Sequence, residues 1–312
     1  MLINNFKIME IAVLLCTKNG KQFLYDQLIS IKKQNIPKID LYVSDNKSTD
    51  GSLELVKKFS KENENINIFF IEGEDLHFAN NYIRLAKLIK KSYEFYAFCD
   101  QDDVWLDNHL ERGIRRIKNA DSRYPCLHCS RTRLINKDGK ILGKSQNFTK
   151  LPSFKNALVQ SLAGANTMIF NRKAFKLLLK ADIKKKVVSH DWLLYIFVTG
   201  SGGKVIYDKQ PTVLYRQHEN NIIGSNMGIL NKLKRIAMLL SGYFREYNLS
   251  NFYQIENADL LTRGNLTTFE SYRMSLKTNF FYRVHHLYKS GVYRQSFAGQ
   301  LGLILSLFIR EK

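Results

Sequence analysis

No apolar run in this chain approaches the about eighteen residues needed to span a bilayer, so no segment reads as a membrane crossing. The first such run, Ile11 to Cys16, is far too short for a secretory signal core, and Glu10 precedes it in place of a basic cluster. Cysteine is scarce too. The four, at 16, 99, 126 and 129, do not suggest a disulfide scaffold, and the expected compartment is reducing. Cys126-Leu-His-Cys129 has metal-ligand spacing, but no second pair completes a four-ligand zinc site, and the segment also reads as strand. No internal repeat and no low-complexity tract appears. No G-x-G-x-x-G follows the first strand, which argues against a doubly wound nucleotide-dependent oxidoreductase.

Acidic residues are short by a wide margin. Against 48 Lys and Arg stand 28 Asp and Glu, a net charge of +20. That excess favours an anionic partner: nucleic acid, a negatively charged membrane surface, or a phosphorylated small molecule. Nucleic-acid binding is the obvious rival, but the basic residues are scattered and no zinc-finger, RNA-recognition or helix-turn-helix signature is present.

What is there is a strand–helix alternation. Glu10–Cys16, Leu41–Val43, Ile66–Ile71 and Phe95–Cys99 read as strands. Between them, Gly20–Gln34 places Phe23, Leu24, Leu28 and Ile31 on one helical face, and Phe78–Ile89 does the same with Tyr82, Leu85 and Leu88. Repeated units of this kind predict an α/β fold with a mostly parallel, Rossmann-like sheet flanked by helices. Beyond Trp105 the rhythm loosens: a helix over 106–119, a strand over 124–135, a hairpin signal at Asn136-Lys-Asp-Gly139, a helix near 153–162, and short strands at 167–170 and 212–214. From Gly228 the pattern is helical throughout. We therefore expect a catalytic domain over 9–227 and a helical C-terminal extension over 228–312.

The most informative cluster is Asp100-Gln101-Asp102-Asp103, at the end of an apolar strand. A buried parallel strand delivers its next residues to the crevice at the sheet's carboxyl edge, where open α/β folds bind ligands. Three carboxylates in four positions repel one another unless a cation sits among them. Magnesium, which prefers one or two carboxylates together with phosphate oxygens, suits that place. Other polar clusters follow strands or open helices: Thr17-Lys-Asn-Gly20, Asp45 to Asp50, His190-Asp191-Trp192, and Tyr215-Arg216-Gln217-His218. Taken alone, Asp191 also reads as a helix cap and His218 as a polar loop residue.

Their order along the chain resembles the inverting family 2 glycosyltransferases of the GT-A type, most closely the bacterial branch labelled rhamnosyltransferase. The matching pieces are L-L-C-T-K-N-G at 14–20, V-S-D-N-K-S-T-D-G at 43–51, F-A-N-N-Y at 78–82 and C-D-Q-D-D-V-W at 99–105, with G-A-N-T-M at 164–168, H-D-W at 190–192 and Y-R-Q-H-E-N-N-I-I-G at 215–224. The resemblance implies a transferase that takes a sugar, L-rhamnose from dTDP-rhamnose or else a UDP-hexose, to a glycan or lipid-linked acceptor. By the same resemblance, Thr17, Asn19, Asp45, Asn80, Asp100, Gln101 and Arg216 would bind the donor, with Asp102 and His218 holding Mg²⁺ or Mn²⁺. Asp191 would be the general base, and Trp105, Asn166, His190 and Trp192 would meet the acceptor. One departure stands out. The family's Asp-Gly pair after the first aspartate is here Asn46-Lys47, which leaves the loop without its glycine.

The expected location is the cytoplasm, with attachment to the inner face of the plasma membrane. Ile229, Leu233, Ile236 and Leu240 form one apolar stripe, flanked by Lys232 and Arg235, and Leu301–Ile309 forms a second apolar segment. Either would meet an anionic membrane, the catalytic domain, or a second subunit in a homodimer.

Overall fold

The computed structural model describes residues 10–63, 66–121, 123–218, 243–277 and 279–306. The stripe from Ile229 to Leu240 and the expected boundary at 228 lie outside these residues, as does the end of the segment that begins at Leu301.

The N-terminal half runs β1 (Glu10–Thr17), α1 (Lys21–Lys32), β2 (Lys38–Asp45), α2 (Ser52–Glu62), β3 (Asn67–Glu72), α3 (Phe78–Leu88) and β4 (Phe95–Cys99). Among themselves, β1 to β4 pair in parallel, in the order β3-β2-β1-β4. Side-chain alternation along β1 explains the layering. Ile11, Val13 and Leu15 face Leu24, Leu28 and Val56 of α1 and α2, whereas Ala12 and Leu14 face the layer that contains Tyr82 and Leu85 of α3. Each fully buried Leu or Ile in these layers contributes about 1.5–3 kcal/mol.

The chain continues with β5 (Val104–Trp105), α4 (His109–Asn119), β6 (Cys126–Asn136), β7 (Ile141–Lys144), α5 (Phe154–Ala157), β8 (Ile169–Asn171), α6 (Arg172–Leu178), α7 (His190–Gly200) and β9 (Lys204–Gln217). β8 runs antiparallel between β4 and β6 and so joins the two halves into one sheet. The Asn136–Gly139 turn forms as its sequence predicts: Asn136 Oδ1 accepts from Asp138 N and Lys140 N, and Gly139 takes a positive φ of 84°. β9 is far longer than the three-residue strand expected at 212–214. It runs through Pro211, and the pairing of β9 with β6 shifts register between Ser130 and Thr132, opposite that proline.

Among the described residues four further helices follow: α8 (Tyr243–Ala258), α9 (Arg263–Met274), α10 (Phe280–Ser290) and α11 (Phe297–Leu305). They complete the core. α7 is buried on every side, and Phe252, Ile255, Phe269 and Tyr272 share its apolar cluster. Asn265 Nδ2 donates to the Thr199 and Gly200 carbonyls at the end of α7, adding to the backbone bonds they accept from Gly202 N and Thr262 N.

One buried ion pair fixes α4 against β9. Arg112 holds Asp208 through two bonds of 2.6 and 3.1 Å. Burial acts to raise the Asp208 pKa, but His128 and Arg112 outweigh it and hold the carboxyl well below its usual range. Asp208→Asn is expected to cost about 3 kcal/mol, the low end for breaking a buried pair, because Arg112 keeps some water contact. A fall in the urea midpoint without change in donor binding would bear this out.

Candidate functional site

Three parallel strands end side by side and set the floor of the site. Thr17 at the end of β1 is in register with Asp45 at the end of β2, and β4 on the other side of β1 delivers Asp100. The chain leaves β1 for β2 on one side and crosses back from β3 to β4 on the other, so this is the switch point at which open α/β sheets form a crevice. Gln101 bridges it: its Oε1 accepts from Thr17 Oγ1 at 2.7 Å and from Lys18 N at 2.9 Å.

The Asp45 loop is built from its own polar groups. Asp45 Oδ2 accepts from Ser48 N at 2.9 Å, while Asp45 Oδ1 is buried with no partner. Asn46 Oδ1 is likewise buried and unpaired. A buried acceptor without a donor costs about 1–3 kcal/mol, so these two atoms mark where a ligand's N–H or O–H groups would be satisfied. Asn19 ties the loop down from β1, with Oδ1 accepting from Thr49 N at 2.8 Å and its own N–H donating to Ser48 Oγ. Lys47 takes the glycine's place at φ 59°, a left-handed conformation that a lysine adopts only at a cost. Gly73, just past β3, admits no substitute: a Cβ there would lie 1.8 Å from Asp45 O. Gly73→Ala must therefore displace this loop, and we expect donor nucleotide affinity, measured by calorimetry, to fall by about tenfold or more (a loss of about 1.4 kcal/mol).

Across the crevice the carboxylates divide into distinct roles. Asp100 lies 3.2 Å from the Tyr82 hydroxyl, and burial, then the charges of Asp102 and Asp191, push its pKa up to about 7. Asp103 is interior: Oδ1 accepts from Arg216 N at 2.9 Å and Oδ2 from Asn166 Nδ2. Burial first, then its two acidic neighbours, raise the Asp103 pKa well above the usual range. Asp102 points outward, and His218 Nε2 reaches its Oδ2 at 2.8 Å. Among the described residues no three His, Cys, Asp or Glu side chains gather closely enough to hold a metal ion by themselves. One carboxylate and one imidazole, both partly accessible, nonetheless fit Mg²⁺ or Mn²⁺ completed by diphosphate oxygens and water. The charge repulsion on Asp100 and Asp103 points the same way.

Asp191 opens α7. Ser189 Oγ and Trp192 N both donate to its Oδ1, the latter at 2.7 Å. Burial raises its pKa, and the hydrogen bonds from Ser189, Trp192 and the Ala165 backbone offset part of that shift.

Several expected contact residues are turned inward instead. Both Asn80 amide protons go to the Ile183 and Lys185 carbonyls and its oxygen accepts from Val187 N, so the side chain clamps the loop that leads into α7. Trp105 and Trp192 are buried, their indole N–H groups spent on the Asn166 and Ala157 carbonyls. His190 stacks on Tyr82 at 4.0 Å, and burial drops its pKa to about 3, leaving a neutral ring within the core. Asn166 serves Asp103. Arg216 is buried and bonds to Asp102 O, Lys137 O and Asp26, so it frames the acidic loop. Sequence reasoning missed Ser189 and Gly73 as contributors, and gave Asp103, a member of the acidic cluster, no role of its own. For Ser189 a signal existed, since it directly precedes the His190-Asp191-Trp192 cluster already singled out.

The family model described as Glycosyl transferase family 2 matches residues 12–178, more than half of the chain. A relative from Shigella flexneri, dTDP-rhamnosyl transferase RfbG, is 29% identical over 244 residues, covering 74% of this chain and 81% of that protein. Among solved structures, Staphylococcus aureus TarS 1–349 in complex with UDP-GlcNAc superposes with a TM-score of 0.54 at 16% identity, over 90% of this chain and 79% of that one. Mannosyltransferase PcManGT from Pyrobaculum calidifontis, in complex with GDP-Man and Mn²⁺, gives 0.51 at 15% identity, over 90% and 86%. The two structures share the fold.

Proposed function

Because the chain belongs to glycosyl transferase family 2, we propose that it is an inverting, divalent-metal-dependent enzyme that moves L-rhamnose from dTDP-rhamnose. The acceptor in this reading is a cell-surface polysaccharide or lipid-linked glycan, met at the inner face of the plasma membrane. The observation that carries the proposal is the 2.8 Å contact of His218 Nε2 with Asp102 Oδ2 in the acidic loop after β4; the Asp191 charge, which helps to raise the Asp100 pKa, supports reading the two aspartates as parts of one site. Rhamnose is favoured by the 29% identical relative, whose printed name is that of a dTDP-rhamnosyl transferase.

Thr17 and the unpaired oxygens of Asp45 and Asn46 receive the nucleoside. Asp191 takes the proton from the acceptor hydroxyl, whose oxygen bonds to the anomeric carbon as the bond to the diphosphate breaks on the opposite face. Asp102 and His218 would hold a divalent cation, which would supply positive charge where the leaving diphosphate gathers negative charge. A UDP-hexose donor is the alternative within the same chemistry, in line with the UDP-GlcNAc bound to TarS. Thermal shift with Mn²⁺ and a panel of nucleotide sugars separates the two. The true donor at about a hundred times its Kd should raise Tm by roughly 5 °C. A chain stabilised by UDP-hexoses and not by dTDP-rhamnose would overturn the rhamnosyl reading, and one stabilised by none would overturn the donor site.

A further inference from the structure

Helices of a globular protein bury their apolar face, yet α10 and α11 turn apolar faces to solvent. On α10, Phe281, Val284 and Tyr288 recur at helical spacing; Phe281 is 84% and Tyr288 87% exposed, while Leu287 packs into the core. On α11, Phe297, Leu301, Ile304 and Leu305 do the same, with Phe297 85% exposed and Leu303 buried behind them. Exposed aromatic and aliphatic side chains at this density mark an interaction surface.

Charge indicates the occupant. Residues 275–306 contain no Asp or Glu, but carry Lys277, Arg283, Lys289 and Arg294; Arg273, just before them, is ion-paired with Glu256. Such a surface repels a second copy of itself and attracts a negatively charged one. No helix among the described residues is long and apolar enough to cross a membrane. Aromatic and Leu side chains on one helical face, with bases alongside, are what a helix lying in a lipid interface presents. We propose that α10 and α11 dock this protein on a membrane surface rich in anionic lipid.

The docking face is tied to the site. Between the two helices, the Tyr293 carbonyl accepts from Asn156 Nδ2 at 2.9 Å, and Gln295 bonds to Lys150 and Gln160. Asn156 lies in α5, whose Ala157 carbonyl receives the Trp192 indole, next to Asp191. On the transferase reading, docking would bring the base to a lipid-linked acceptor; membrane binding itself does not depend on that reading.

The test is co-sedimentation of the full chain with vesicles of phosphatidylcholine and phosphatidylglycerol, beside vesicles of phosphatidylcholine alone. Wild type should pellet with the mixed vesicles, release as salt rises, and stay in solution with the neutral ones. F281S/Y288S and F297S/L301S should each lower partitioning about tenfold or more, by removing apolar area from the interface. Both variants should keep the wild-type Tm and its rise with nucleotide sugar and Mn²⁺, which separates loss of docking from loss of the fold or of the donor site. The proposal is overturned by wild type that stays in solution with mixed vesicles at low salt, by equal binding to neutral ones, or by variants that bind as well as wild type. It is equally overturned if sedimentation velocity finds a lipid-free dimer that the same substitutions dissociate, because the face then covers a second copy.

Discussion

Asp191→Asn is expected to lower turnover by about two to four orders of magnitude, the range for loss of a general base. Donor affinity should stay unchanged, since the proposed nucleoside contacts are at the ends of β1 and β2. The substitution suits the test because asparagine keeps the acceptor oxygen that Ser189 and Trp192 hold, so α7 should still open as it does now. What disappears is the proton-accepting charge. Burial raises the pKa of Asp191, so its ionised, basic form is lost on acidification earlier than for an ordinary aspartate. The kcat/KM of the wild type should therefore fall on the acid side at a pH above the usual carboxylate range, and the limb that Asp191 causes should vanish in the variant. A variant that binds donor poorly but turns over normally when saturated would place Asp191 on the donor side and end its assignment as base.

The sequence made β1, β4 and the acidic cluster legible because burial on both faces of a parallel strand leaves an unbroken apolar run, and polarity returns where the strand meets the crevice. That logic placed Thr17, Asp45 and Asp100 on one edge. It failed for Asn80, Trp105, His190 and Trp192. A polar or aromatic residue beside a site has the same signature whether it faces ligand or backbone, and the partners of Asn80, at Ile183 to Val187, lie more than a hundred residues away. β9 was undercounted because Pro211 reads as a stop, while the sheet absorbs it by a register shift. The helical character of the C-terminal region was plain from its periodicity. That α8 and α9 would pack against α7 was not, because an apolar stripe states that a face is covered and is silent on what covers it.

Asp102→Asn should reduce turnover by about two to three orders of magnitude, the cost of losing one preorganised electrostatic contact to a charge that develops in the transition state. The change is nearly isosteric and removes a single charge from a group of three carboxylates. It should not unfold the protein: Asp102 contributes to the repulsion that raises the pKa values of Asp100 and Asp103, so its neutralisation relieves the loop and Tm should hold or rise. Loss of activity with retained Tm distinguishes a lost cation site from a lost fold. Mn²⁺ titrated calorimetrically into protein loaded with nucleoside diphosphate should bind at least tenfold more weakly to the variant, and His218→Ala should weaken it in the same direction, as the imidazole and carboxylate meet at 2.8 Å. EDTA should silence the wild type and leave the residual rate of the variant nearly untouched. If EDTA leaves the wild type fully active, or Asp102→Asn keeps its rate, the metal assignment fails, and Lys47 and Lys18 become the groups to test for holding the diphosphate.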